Sequence, residues 1–223
     1  MLNKVNPGSN MYQGWITHTW NTVKGACPHD CSYCYMMRFK NQKPVRFDEK
    51  ELKTNLGQGN FIFVGSSCDL FAQAIPEAWI DQTLEKCRQN DNVYLFQTKN
   101  PANLRWYDGA MPERVRICTT IETNRLYSVT MGIAPHPVNR AEAMSLLTEF
   151  PRYVTIEPIL DFDLTPMVEL IKKCDPLQVN IGADSGGNHL PEPSADKVLA
   201  LIYELQKFTT IARKSNLGRI LKE

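Results

Sequence analysis

A repeating alternation constrains this chain most: six short apolar or β-branched runs, most of them followed by a segment with helical periodicity. Phe61-Ile-Phe-Val-Gly65 is continuously apolar, as a strand covered on both faces must be. Val93–Thr98, Val115–Ile121, Tyr153–Glu157 and Leu177–Gly182 have the same character, and Trp15–Asn21 stands first with its aromatic and β-branched residues. After Pro76, the residues Trp79, Ile80, Thr83, Leu84 and Cys87 recur at helical spacing to about Asn90. Ala141–Phe150 reads as a helix closed by Pro151, and another is predicted near Thr165–Cys174. Ser194–Phe208 opens with a capping Ser-Ala-Asp and carries Val198, Leu201, Ile202 and Leu205 on one face. Strands alternating with helices or loops make a parallel α/β sheet, curled or open.

The connections are less regular. Residues 1–13 read as a polar lead-in, Arg38–Lys50 as a basic connection, and Glu51–Gly57 as the tail of a helix stopped by glycine. No composition shift marks a second domain, and 223 residues suit one α/β domain over 1–223, with its core at roughly 15–208 and a basic C-terminal tail. A formal net charge of +1 gives no global field toward nucleic acid or membrane. No apolar run approaches a membrane span and the N-terminus is polar, so the expectation is a cytoplasmic protein with no membrane partner.

The ends of the runs are polar where the middles are not. They read Gly65-Ser-Ser-Cys-Asp69, Gln97-Thr-Lys99, Glu122-Thr-Asn124, Glu157-Pro158 and Gly182-Ala-Asp184. In parallel sheets the loops beyond the C-terminal strand ends converge, and ligands bind there. The two-residue period puts Cys118, Thr120 and Glu122 on one face, Tyr153, Thr155 and Glu157 on another such face, and Gln178, Asn180, Gly182 and Asp184 on a third. Acids aimed into an apolar interior need a polar ligand to compensate them. Glu157 and Asp184 are therefore candidate catalytic groups, with Cys118 near the same strand ends; the alternative for each acid is a solvated loop residue capping a helix, and for the thiol a packed core cysteine.

Between the first and second runs lies Cys27-Pro-His-Asp-Cys31-Ser-Tyr33-Cys34-Tyr35, with the spacing C-x3-C-x2-C. Seven cysteines with three so clustered point to reduced thiols on a metal rather than disulfides. Thiolates select iron–sulfur clusters or zinc, and structural zinc asks for four closed ligands where this stretch offers three. The spacing, with an aromatic residue before the third cysteine, resembles the signature of the radical S-adenosylmethionine (radical SAM) superfamily. The resemblance implies a single-domain partial (β/α)6 barrel of parallel strands with a [4Fe–4S] loop after strand 1. It implies a cluster on Cys27, Cys31 and Cys34 whose open iron chelates SAM, and reductive cleavage to a 5′-deoxyadenosyl radical that abstracts hydrogen from a substrate. It also implies a reductant protein such as flavodoxin or ferredoxin.

Carried residue by residue, the resemblance places Ser66 and Ser67 near the SAM amino group, in a Gly65-Ser-Ser that departs from the superfamily's Gly-Gly-Glu. It places Glu122 and Asn124 at the ribose and Tyr33 near the adenine. The motifs at 63–71, 121–124, 156–160 and 182–186 are similar to a short, phage-associated subgroup distantly resembling spore photoproduct lyase. That subgroup directs the substrate expectation to a nucleotide or nucleic-acid base. Other readings are a carboxy-deazaguanine synthase–like enzyme on a free small molecule, and a non-catalytic iron–sulfur or zinc module.

Several residues admit two readings. Cys87 and Cys174 fall on apolar helix faces and read as buried small hydrophobes. Cys68 and Cys118 are packed core thiols or hydrogen-atom donors. His29 reads as a loop residue, His18 as either cavity-facing or packed, and His136 and His189 as surface residues. Lys99 is solvated or meets a carboxylate or phosphate. Lys4, Tyr12, Trp15, Trp20 and the stretch Arg38–Arg46 mix basic and aromatic side chains, as nucleic-acid surfaces do and as solvated linkers also do. Arg213–Arg219 adds further basic charge.

Overall fold

The five runs from Phe61 onward all become strands, and they line up side by side in the order they occur along the chain. The structure, a computed structural model, describes residues 1–6, 12 and 15–222; the rest of the polar lead-in lies outside them. The sheet runs β1 (Asn3–Lys4), β2 (His18–Trp20), β5 (Phe61–Val64), β6 (Val93–Thr98), β7 (Val115–Thr120), β8 (Arg152–Ile156), β9 (Gln178–Ile181) and β10 (Thr210–Arg213). Every pairing is parallel except β1 with β2. A separate antiparallel pair joins β3 (Val23–Lys24) to β4 (Arg46–Phe47) and brackets the cysteine stretch.

The six expected strands are thus joined by two more. β1 sits in the expected lead-in, and β10 in the expected basic tail. Neither has an apolar run to announce it. β10 forms because the preceding helix returns the chain to the open edge of β9, where Lys214 N bonds Ile181 O at 2.8 Å. Tertiary pairing, not intrinsic preference, makes such edge strands. The sheet is open, with β1 and β10 at its two edges.

The helices are α1 (Glu77–Arg88), α2 (Ser128–Met131), α3 (Pro137–Ser145), α4 (Leu164–Cys174), α5 (Ala195–Leu205) and α6 (Gly218–Leu221). α5 starts as expected, with Ser194 Oγ accepting from Lys197 N. α3 starts four residues earlier than the periodicity suggests. Pro137 occupies its first turn and the ring of His136 accepts from Val138 N at 3.1 Å, so His136 is a cap rather than a free surface residue. Glu51–Gly57 begins instead as a 3-10 turn at Glu49–Lys53.

The outer sheet face and the helices share the main core. Ile62, Val64, Tyr94, Phe96, Ile117, Val154, Ile156, Val179 and Ile181 pack on Leu84, Met144, Ile171 and Leu201. Each such burial is worth roughly 1.5–3 kcal/mol. Cys87 and Cys174 belong to this core as small hydrophobes. A smaller cluster of Tyr12, Ile16, Phe63, Leu95 and Cys118 fills the inner face. There Trp15 lies 5.0 Å from Phe61 and 5.3 Å from Tyr153. Those strands stand three apart, about 14 Å in a flat sheet, so the sheet curves around this face. No helix among the described residues is long and apolar enough to cross a membrane.

Candidate functional site

The curve of the sheet leaves a cavity of about 620 Å3 at the C-terminal strand ends, between the cysteine loop and the far strands β8 and β10. Cys27, Cys31, Cys34 and Tyr33 line one side, with Gly65–Asp69 and Gln97–Lys99; Glu157, Pro158 and Lys214 line the other.

The cysteine loop is not regular structure, so its shape comes from what it touches. Asp30 N bonds Cys27 O and Cys34 N bonds Cys31 O, which folds the loop into two turns. Ser32 N bonds Thr130 O at 3.0 Å, Ile133 N bonds His29 O at 2.9 Å, and the Cys31 thiol faces Met131 O at 3.4 Å. Gly132 permits this approach: a Cβ there would lie 2.1 Å from His29 O. On its inner side the loop is tied by His29 Nε2 to Asp69 Oδ2 at 2.8 Å. Asp69 also accepts from Thr98 Oγ1 at 3.0 Å, Lys99 N at 2.8 Å and Phe71 N at 3.0 Å. Burial alone pushes the Asp69 carboxyl up, but His29 and these backbone N–H groups hold it below the usual range.

Cys27, Cys31 and Cys34 all face the cavity, and Cys68 abuts Cys27. A hydrogen bond from Cys68, working against burial, brings Cys27 down to about 6 and Cys68 itself up. Burial raises Cys31 and Cys34. Among the described residues no three acids, histidines or cysteines converge tightly enough to chelate a single metal ion. The three thiols come from one short loop on the wall of an open cavity, and thiolates are ligands for iron–sulfur clusters or zinc.

Lys99 follows β6 and enters the same side. Its ammonium lies 5.4 Å from the Tyr33 ring centroid and makes no ion pair among the described residues. Burial lowers its pKa, but Cys31 and Glu122 raise it by more, so it stays charged. Ser66 and Ser67 line the cavity, organised by Asn21, whose Oδ1 accepts from Ser67 N at 3.0 Å. Ser66 O accepts from the Tyr35 hydroxyl at 3.0 Å.

The sequence-derived acids part company here. Glu122 is fully buried: the Tyr33 hydroxyl donates to Oε1 and Arg140 Nη1 to Oε2 at 2.8 Å. Glu157 opens onto the cavity, paired with Lys214 and accepting from Asn216 Nδ2 at 3.0 Å. Asp184 lies outside the cavity lining, its carboxylate taken by Gly186 N at 2.8 Å and by Asn188. Asn124 also lies outside it, exchanging hydrogen bonds with Asp163. Cys118 sits behind the cavity wall, 3.7 Å from the Tyr12 hydroxyl, and burial pushes its thiol up to about 12.

Sequence reasoning passed over Asp69, Arg140, Lys214 and Asn216. Asp69 was visible only as one more polar residue at a strand end. Lys214 depends on β10, which has no sequence signature. Of the aromatic residues read with the basic ones, Trp20 is buried in the main core and Tyr12 and Trp15 belong to the inner cluster.

A family model described as "Protein of unknown function (DUF5131)" matches residues 12–192. No curated protein matches the chain. Among solved structures, a spore photoproduct lyase variant superposes with a TM-score of 0.67 at 11% identity, covering 96% of this chain and 78% of that one. The same lyase complexed with dinucleoside spore photoproduct gives 0.61 at 11%, covering 93% and 64%. Streptococcus suis SuiB bound to S-adenosylmethionine gives 0.58 at 9%, covering 88% and 50%. At such identities the likeness establishes a common fold.

Proposed function

This chain belongs to the DUF5131 family, and we propose that it is a radical SAM enzyme acting on a nucleotide or nucleic-acid base. The observation that carries the reading is the C-x3-C-x2-C loop on the wall of a cavity at the C-terminal ends of a parallel sheet. Neighbours of the same fold, spore photoproduct lyase and SuiB, have been captured with AdoMet. The lyase holding dinucleoside spore photoproduct supports the substrate class.

In this reading Cys27, Cys31 and Cys34 hold a [4Fe–4S] cluster. Bound there, such a cluster supplies the electron that cleaves SAM to methionine and a 5′-deoxyadenosyl radical. The chain's own residues bind, orient and shield. Lys99, charged and without a carboxylate partner, takes the SAM carboxylate. Ser66 and Ser67 offer hydroxyl and carbonyl oxygens to the amino group. Tyr33, its hydroxyl fixed by Glu122, packs beside the adenine. Glu157 and Lys214 face the substrate from the opposite wall and orient its polar edge. Asp184 and Cys118 stand outside this first layer of contacts. A flavodoxin or ferredoxin supplies the electron, and the protein works in the cytoplasm.

The deciding experiment is anaerobic reconstitution with iron and sulfide, then SAM and dithionite, with 5′-deoxyadenosine and methionine followed by mass spectrometry. Both products are expected, and both vanish in Cys31→Ala. A fully loaded chain that neither cleaves nor binds SAM, with or without oligonucleotide, overturns the proposal.

A further inference from the structure

One segment singled out by the sequence has no part in that chemistry. Residues 36–47 read Met-Met-Arg-Phe-Lys-Asn-Gln-Lys-Pro-Val-Arg-Phe, with four cations and no anion. Met36–Gln42 forms one lip of the cavity, and Arg38 reaches across the mouth to donate to Ser185 O at 2.7 Å. Arg38, Lys40, Lys43 and Arg46 are all exposed, and among the described residues none has a carboxylate partner. Of the acids next along the chain, Asp48 and Glu51 are paired with Lys24, at 2.8 and 2.6 Å, and exposed Glu49 makes no ion pair with any of the four among the described residues. Other surface arginines do have carboxylate partners, Arg125 with Asp161 and Asp163 and Arg219 with Glu192. Like charges held together without counter-ions repel, so this lip is poised for an anion.

The same lip presents apolar surface. Phe39 is 60% exposed and Met37 53%, although an aromatic ring gains by burial. An exposed ring flanked by unpaired cations suits stacking on a base with phosphates held on either side. A base must leave its stack to enter the cavity behind, which favours a single strand. We infer that the Met36–Gln42 lip, with the exposed cations Lys43 and Arg46 that follow it along the chain, is a single-stranded nucleic-acid surface, with Phe39 as its stacking platform and Arg38, Lys40, Lys43 and Arg46 as phosphate contacts. It deepens the nucleobase reading above by making the substrate a polymer.

The test is fluorescence anisotropy of a labelled oligothymidylate, using both the reconstituted and the cluster-free chain over a range of KCl. Four phosphate contacts on a single strand predict log Kobs against log[KCl] with a slope of about −3. Lys40→Glu/Lys43→Glu/Arg46→Glu together bring the slope to about −1 or flatter. Phe39→Ala weakens binding about 5- to 150-fold and leaves the slope alone. These side chains are exposed, so thermal melts of the variants should overlay the parent. Absent or salt-insensitive binding overturns the inference, as does indifference to both variants. Equal competition by polyglutamate overturns nucleic acid, and equal affinity for the matching duplex overturns the single strand. Oligonucleotide binding without SAM cleavage keeps this inference and loses the radical SAM reading; cleavage without binding does the reverse.

Discussion

Glu122 and Glu157 stand at the ends of adjacent strands, β7 and β8, and in sequence they look alike. The structure gives them opposite surroundings. Glu122 is sealed, both oxygens occupied by Tyr33 and Arg140 and no part of it exposed. Glu157 opens on the cavity, with a lysine and an amide as partners. The difference lies in what comes from elsewhere in the chain. β7's end is roofed by α3, which delivers a buried guanidinium, whereas the acid at β8's end meets Lys214 and Asn216, which come from just beyond the edge strand. A strand-end acid can thus build the wall or face the ligand, and its partners decide which.

The largest expected effect tests the sealed side. Arg140→Met leaves a buried carboxylate uncompensated and should cost about 3–5 kcal/mol of unfolding free energy in urea. Glu122→Gln/Arg140→Met should recover part of it. If Arg140→Met alone is as stable as the parent, Glu122 is not sealed and the contrast fails.

Acid sharpens the same point. Burial pushes Glu122 up, but Arg140, Lys99 and the Tyr33 bond outweigh it and hold the carboxyl below its ordinary value. An unfolded chain then binds the proton first as pH falls. The stabilisation is complete above the unfolded pKa of about 4.3 and is lost as pH drops through the lower folded value. Asp69 acts in the same direction. Stability measured at pH 5, 4 and 3 should fall steeply in the parent and less steeply in Glu122→Gln.

Lys99, just after the end of β6, lines the same cavity. Lys99→Met should weaken SAM binding by about 10- to 150-fold, the worth of a hydrogen bond to a charged group. Its melting temperature should fall less than that of Arg140→Met, since Lys99 makes no direct ion pair among the described residues and only its charge interaction with Glu122 is lost. Unchanged SAM affinity by calorimetry would remove Lys99 from the site.

On the open side, Glu157→Gln keeps an acceptor for Asn216 but loses the charge pairing with Lys214, and should cost about 1.5–3 kcal/mol of stability. SAM affinity should hold while substrate turnover drops; a loss of SAM affinity instead would move Glu157 to the cofactor. Smallest of all, Asn124→Ala should change stability by about 1 kcal/mol or less and SAM affinity not at all. A ribose contact there would show as weaker SAM binding.

Much of the fold was legible because its signals are local. The runs from Phe61 to Gly182 became adjacent parallel strands, and their two-residue period correctly separated Ile117, Val154 and Val179 on the helix side from Cys118 and Tyr153 on the inner face. β1 and β10 were not legible. Each is an edge strand of two to four residues whose existence depends on a neighbour's free hydrogen-bonding edge. The site divides in the same way. That Cys27, Cys31 and Cys34 would come from one short loop needed only their spacing. That Asp184 and Asn124 would be spent on their own loops, and Cys118 set behind Tyr12, needed the folded chain.

What the sequence determined by itself is whatever fits within a few turns of chain: three thiols within eight residues, the alternation that buries one sheet face, and the run of four cations after the loop. What only the tertiary structure decided is which group each side chain meets. Tyr33 finds Glu122 across 89 residues, Lys214 finds Glu157 across 57, and His29 finds Asp69 across 40. Those meetings follow from the parallel stacking of strands, which brings distant loops to one end of the sheet. A carboxylate's charge, access and task depend on the partner it finds there, and a linear pattern holds no record of that partner.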